Sequence, residues 1–283
     1  GARLVVVTPD YNPTAPIADQ WVPINVGTDA ALALSMSQVI ISKRLYKPDF
    51  VREQMDLPIL VRLDNKKFLT QKDVQRGGRD NVFYMFDEPT RKEVEAPYKS
   101  LNLGGIVPAL EGEYEVDTLQ GKVKVRPVFE LLKKHLEDYT PEKASRITGV
   151  SPRVIEQLAQ DFASARAALN ITTAQWGKQY HGDLMQRAII LVFALCGHMG
   201  RKGASYDAYP VLQMDTGFGY LLRAASDAQV TAAAVDPRVT AWQERGYTDE
   251  MMAYERMFDI MPSGSYINYS LFYYFHAGLQ KQA

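Results

Sequence analysis

The chain has 283 residues, 46% of them apolar, and its 32 Lys and Arg against 33 Asp and Glu leave a formal net charge of -1. That is enough material for one large or two small globular domains, and a charge so near zero offers no field that would gather nucleic acid or anionic lipid. The longest apolar run, Ala188 to Cys196, falls far short of the roughly 20 residues a membrane span needs, and the lone Cys196 rules out a disulfide framework, a thiolate zinc site or an iron–sulfur cluster within these residues.

In chain order, Leu4-Val5-Val6-Val7 predicts a short, fully buried strand that ends at Pro9-Asp10. Thr28 is placed to cap a helix from Asp29 to about Arg44, in which Leu32, Met36, Val39 and Ile40 recur at helical spacing. Residues 46–126 are less regular. Leu57–Arg62 reads as a strand, Gln75–Asp80 as an exposed turn, and Glu111–Arg126 as a hairpin in which Val123 and Val125 alternate with Lys122 and Lys124. From Pro127 helical periodicity returns, through Val128, Leu131, Leu132 and Leu136. Thr140-Pro141-Glu142 opens a short helix that stops at Gly149, and Ser151-Pro152 opens another carrying Val154, Ile155, Leu158 and Phe162 on one side. Ala167–Thr173 reads as a strand, and a helix over Asp183–Leu195 is closed by Gly197 and Gly200. Ser205–Gln229 reads mostly as loop, and the aromatic tail Tyr266–Phe275 as a further strand.

Helices alternating with single apolar strands predict an α/β fold, a mostly parallel sheet with helices on both faces, interrupted by an irregular inserted segment. The organisation follows as 1–75 for the first strand–helix part, 76–126 for the insertion, 127–210 for the continuation and 211–283 for a loop-rich edge segment. The chain opens without Met and ends without a terminal pattern, so it reads as an internal fragment of a longer protein.

A strand ending in an acid, then a loop, then Gly27-Thr28-Asp29 opening a helix, is an arrangement that holds nucleotide-like ligands. Asp10 at the strand's carboxyl end is placed to accept from ribose hydroxyls, though a Pro-Asp turn explains it as well. Asp29 equally suits the helix dipole. A second polar loop, Trp176-Gly177-Lys178-Gln179-Tyr180-His181-Gly182-Asp183, lies between a strand and a helix, where His181 serves either a ligand or a helix start. The Gly200-Arg201-Lys202-Gly203 turn suits a phosphate or plain solvent. His135, His181, His198 and His276 do not fall at metal-ligand spacing, and no Gly-x-Gly-x-x-Gly turn lies between Val7 and Asp29, which argues against a nicotinamide dehydrogenase.

Residues 19–41 resemble the guanosine-binding segment of the molybdopterin oxidoreductases, the dimethyl sulfoxide reductase family. Tyr180-His181-Gly182-Asp183 with Cys196-Gly197-His198-Met199-Gly200 resembles a cofactor-facing region of the nitrate reductase branch. Tyr46–Asp73 is similar to the segment that follows in the type II members: nitrate, selenate, chlorate and perchlorate reductases, nitrite oxidoreductases, and dimethyl sulfide and ethylbenzene dehydrogenases. Met55 stands where Thr is usual, and His198 where Asn or Cys is, so no role is assigned to His198.

The resemblance implies a molybdenum bis(molybdopterin guanine dinucleotide) cofactor. Asp10, Gly27, Thr28 and Asp29 would hold a guanosine arm, and Trp176, Gly177, His181 and Gly182 would face the pterin. It implies oxygen-atom transfer coupled to two-electron transfer, nitrate reduction or nitrite oxidation foremost. Hydrocarbon or dimethyl sulfide oxidation and chlorate or selenate reduction share every motif. A [4Fe-4S] cluster and the metal's own Asp ligand are expected upstream of Gly1, so no catalytic residue is named here. The implied partners are an iron–sulfur electron-transfer subunit, a haem or membrane-anchor subunit, and a small-molecule substrate, on either face of a prokaryotic membrane. A non-catalytic electron-transfer subunit of the same fold is the alternative from another class.

Overall fold

The structure is a computed structural model that describes residues 2–98, 100–172, 180–207, 241 and 244–246. The chain divides into two compact units, Gly1–Pro210 and Val211–Ala283. The elements below belong to the first.

Strand β1 (Val5–Val7) pairs in parallel with β2 (Gln20–Val22), placing Val6 opposite Trp21. The sequence leads one to expect β1 fully buried. Val5 and Val6 are only half-buried and Val7 is 40% exposed, because among the described residues β1 has one partner strand and no second neighbour.

Helix α1 (Asp29–Ser42) follows and is the hub of the unit. One side, through Ala33, Val39, Ile40 and Ile41, joins a core with Phe129, Leu136, Val192 and Leu195. The other, through Leu32, joins a second core with Val22, Ile24, Ala144, Ile155 and Leu158. A helix covered on two sides has little room for a polar face. Even Ser35 and Ser37 are fully buried, their hydroxyls without partners among the described residues.

After α2 (Pro48–Gln54) come β3 (Leu60–Arg62) and α3 (Gln71–Val74), and the expected insertion, 76–126, then carries regular elements that pack with them: β4 (Tyr84–Asp87), β5 (Lys92–Glu95), β6 (Tyr114–Thr118) and β7 (Gly121–Pro127). Antiparallel pairing gives one sheet in the order β3-β7-β6 and a β4-β5 hairpin, with isolated bridges at Ile59–Met85 and Thr70–Phe83 between them. Leu60, Leu69, Tyr84, Phe86, Val116 and Val125 form a third core, with Phe86 and Tyr114 stacked at 3.6 Å. The expectation of an irregular segment is therefore corrected. Tyr84-Met85-Phe86-Asp87 is buried at all four positions and carries no alternation to read as a strand.

Pro127 ends β7 and α4 starts one residue later (Val128–Leu136). Helix α5 (Pro141–Thr148) is capped by Thr140, which accepts from the Lys143 N–H, and stops at Gly149 with φ 76°. Helix α6 (Pro152–Ser164) is capped likewise by Ser151. Strand β8 (Leu169–Ile171), helix α7 (Gly182–Leu195) and strand β9 (Ser205–Asp207) complete the described elements, β8 pairing with β9 in parallel.

The fold is mixed α/β, but the expected mostly parallel sheet is not what the described residues form. The parallel pairs β1-β2 and β8-β9 are two-stranded, and the one three-stranded sheet is antiparallel. Two hairpins, β4-β5 and β6-β7, account for most of the antiparallel pairing, since a short turn returns a strand beside its predecessor, and β7 then pairs with the distant β3. Residues 208–229 and the tail Tyr266–Phe275 lie outside the described residues. No described helix is long and apolar enough to cross a membrane.

Candidate functional site

Parallel pairing sends the carboxyl ends of β1 and β2 in one direction, so the loops that leave them start from the same end of the sheet. From β1 the chain passes Thr8, whose N–H donates to Val22 O at 3.2 Å, to the exposed Asp10. From β2 it passes Pro23 to Asn25, Gly27 and Asp29. Of the predicted residues, Asp10 thus follows β1, and Gly27, Thr28 and Asp29 follow β2, on loops that leave the same end of the pair.

The loop before α1 is tied down from a distance. The Asn25 N–H donates to Thr148 O at 2.8 Å, and its side-chain amide to Ile147 O at 2.9 Å, so the end of α5 holds this loop. Gly27 then turns with φ 77°, a left-handed conformation that favours glycine. Thr28 occupies the N-cap position, but its hydroxyl donates to Asn25 O at 2.6 Å instead of accepting from the helix. The expected side-chain cap is corrected. With φ -111° and ψ 11° the residue turns its oxygen back into the loop, which leaves the first N–H groups of α1 without a side-chain partner. Neither the Asp10 nor the Asp29 carboxylate has a hydrogen-bond or ion-pair partner among the described residues.

Sequence reasoning missed an aromatic pair between these segments. Trp21, whose alternation with the buried Val22 turns it to the opposite face, donates its indole N–H to Thr8 O at 3.2 Å. Tyr11 meets it edge to face, ring centroids 5.0 Å apart. The signal was present in Pro9-Asp10-Tyr11 and Gln20-Trp21-Val22, but only the pairing of β1 with β2 joins them.

His181 heads α7 in a left-handed conformation, φ 55°, and makes no side-chain cap bond. It is exposed, its ring 3.9 Å from that of Tyr180, while its carbonyl accepts from the Leu184 and Met185 N–H groups. The helix-capping alternative for its side chain does not hold. Gly182 is buried beneath it. The Lys47 N–H donates to Leu195 O at 2.8 Å, tying the segment after α1 to the end of α7. Helices α1 and α7 share a core through Ala33, Val39, Ile40 and Ile41 of the one and Ala188, Val192 and Leu195 of the other. Trp176 and Gly177 lie outside the described residues.

The turn at Gly200–Gly203 spends part of its charge internally, the Arg201 guanidinium donating to Arg166 O at 3.0 Å. His198 is fully buried, with Nε2 donating to Phe162 O at 2.9 Å, so it is a structural residue. Cys196 is also fully buried, and burial pushes its thiol up to about 12.

Residues 1–255 match the family model described as molybdopterin oxidoreductase. The alpha subunit of dimethylsulfide dehydrogenase from Rhodovulum sulfidophilum is 43% identical over 209 residues, covering 72% of this chain and 22% of that subunit. The alpha subunit of perchlorate reductase from Dechloromonas aromatica is 38% identical, covering 74% and 26%. The alpha subunit of respiratory nitrate reductase from Haloferax mediterranei is 35% identical, covering 74% and 23%. The chain therefore spans about a quarter of the length of these relatives.

Proposed function

The chain belongs to the molybdopterin oxidoreductase family, and we propose that it holds a guanosine arm of the cofactor in the catalytic subunit of a molybdenum oxidoreductase. The reading is supported by two partnerless carboxylates, Asp10 and Asp29, on the loops that follow β1 and β2, together with the Gly27 turn and the start of α1, which lacks a side-chain cap. These groups fit a guanine dinucleotide. Guanine presents adjacent N–H donors that one carboxylate accepts together, ribose hydroxyls suit a second acid, and open helix N–H groups suit phosphate.

In this reading Asp29 accepts from the guanine edge and Asp10 from the ribose. Gly27 lets the backbone approach without a Cβ in the way. Trp176, Gly177, His181 and Gly182 face the pterin side. When bound, the molybdenum cofactor supplies oxygen-atom transfer coupled to two-electron transfer, while the protein supplies binding, orientation and electrostatics. A [4Fe-4S] cluster in the same subunit and an iron–sulfur partner subunit, with a haem or membrane-anchor subunit beyond it, would carry the electrons.

The substrate we propose is an oxyanion, nitrate or nitrite foremost, in keeping with relatives named for perchlorate and nitrate reduction. A second reading, oxidation of dimethyl sulfide, is favoured by the 43% identity to the dimethylsulfide dehydrogenase subunit. The full-length subunit in its complex, assayed with reduced viologen and nitrate, chlorate or perchlorate, turns over in the first case. Turnover only with dimethyl sulfide and an oxidising dye selects the second. Asp29→Asn in the same complex is expected to lower retained guanosine nucleotide and molybdenum together, and unchanged content would remove Asp29 from the site.

A further inference from the structure

The rings of Tyr11 and Trp21 have no part in the reading above. Tyr11 follows Asp10 in the loop after β1 and Trp21 is the middle residue of β2, and the two are 63% and 36% exposed. Trp21 is anchored by its indole N–H on Thr8 O, and its ring braces Tyr11 at an interplanar angle of 75°. The hydrogen bond on Trp21 and the ring contact with Tyr11 restrict the pair before a ligand arrives, which lowers the ordering cost of binding on it.

Two kinds of partner cover exposed aromatic rings: another protein surface or a flat base. The neighbours decide between them. Asp10 lies next to Tyr11 in the chain and Asp29 opens the helix that follows β2, both without side-chain partners among the described residues. Sealing them under an apolar protein face would strip water from two carboxylates and return nothing. A purine gives both what they need, a π-face for the rings and N–H edges for an acid.

We propose that Tyr11, braced by Trp21, is a stacking step for the purine base of the bound dinucleotide, a positioning and affinity role that rests on the guanosine reading above. Base–aromatic stacking is worth about 1–3 kcal/mol, which corresponds to roughly a 5- to 150-fold change in retention.

The test uses the full-length subunit purified in its complex. Guanosine monophosphate released by acid hydrolysis is measured per polypeptide, before and during dialysis against sub-denaturing urea. Tyr11→Leu and Trp21→Leu are expected to lose nucleotide roughly 5- to 150-fold faster than the wild type, while Tyr11→Phe, which keeps the ring, matches it. Because Tyr11 is mostly exposed, Tyr11→Leu is expected to fold, and an unchanged circular dichroism spectrum checks this. Nucleotide loss at the wild-type rate in both Leu variants overturns the stacking role and leaves the guanosine reading standing. Equal loss in Tyr11→Phe and Tyr11→Leu overturns it too, by assigning the effect to the hydroxyl. A wild-type complex that releases no guanosine nucleotide at all overturns the guanosine reading itself.

Discussion

The guanidinium of Arg62 in β3 reaches the carboxylate of Asp73 in α3 at 2.6 Å and holds Asp64 at 2.7 Å with its other arm. Arg62 is 4% exposed as a residue, although it stands in a strand with two apolar neighbours. Asp73 also accepts from the Thr70 N–H and hydroxyl at 2.9 and 2.7 Å, closing the first turn of α3. One buried cation thereby joins β3, the turn after it and α3, and its charge is met on two sides, as a buried ion requires.

Burial opposes ionisation of Asp73, but the bonds from Thr70 and Arg62 outweigh it and hold the carboxyl below its usual range. A carboxyl depressed in the folded state stabilises above the ordinary carboxylate range, and that contribution is lost as pH falls through the range towards the folded value. Asp73→Asn should therefore cost about 1–3 kcal/mol at neutral pH. The gap from wild type should hold at neutral pH and narrow only as pH falls through the ordinary carboxylate value of about 4 and below it. Urea midpoints of both proteins across that range measure it, and a gap that stays constant with pH would refute the assignment.

Gly149 and Asn25 predict a link between a helix end and the ligand loop. Gly149 sits at φ 76°, and a Cβ there would meet Asn25 Oδ1 at 3.3 Å. Gly149→Ala should cost about 1–2 kcal/mol from the left-handed backbone, and should also shift the loop that carries Gly27. Thermal unfolding reads the first effect. Faster loss of guanosine nucleotide from the full-length subunit reads the second, and its absence would show that the loop is held without Asn25.

His198 predicts a polar cost in an apolar setting. Its Nε2 satisfies Phe162 O while its ring meets Phe162 edge to face at 5.1 Å. His198→Phe keeps the ring but orphans the carbonyl, so a loss of about 1–3 kcal/mol is expected. Unfolding by urea decides, and a neutral substitution would mean the carbonyl finds another donor.

Cys196 predicts chemical silence. With its thiol pushed up to about 12 by burial, the thiolate is scarce at pH 8. Iodoacetamide labelling in the native chain should be at least about 100-fold slower than in urea-unfolded chain at the same pH. Comparable rates would place the thiol at the surface.

Much of the local structure was legible because its causes lie within a few residues. Thr140 and Gly149 bound α5, and Ser151-Pro152 starts α6, each by a bond spanning one helical turn. The hairpin β6-β7 follows from the alternation of Val123 and Val125 with Lys122 and Lys124, the lysines pairing outward with Glu115 and Glu113. Where one face was not distinguished from the other, legibility failed. Tyr84–Asp87 is buried throughout and reads as nothing in particular, and Arg62 looks like a surface charge until Asp64 and Asp73 are found on either side of it.

The candidate site divides in the same way. Gly27, Thr28 and Asp29 were readable as the opening of a helix, and Asp10 as the end of a strand, because each depends on its immediate neighbours. That Asn25 is held by Ile147, 122 residues further along the chain, is a fact of the folded molecule alone. So is the meeting of Tyr11 with Trp21, and the burial of α1 on two sides instead of one. Turn geometry, capping and strand alternation are short-range and are written in order along the polypeptide. Burial, charge compensation and ring contacts depend on which distant segments arrive at the same place, and only the packed structure decides that.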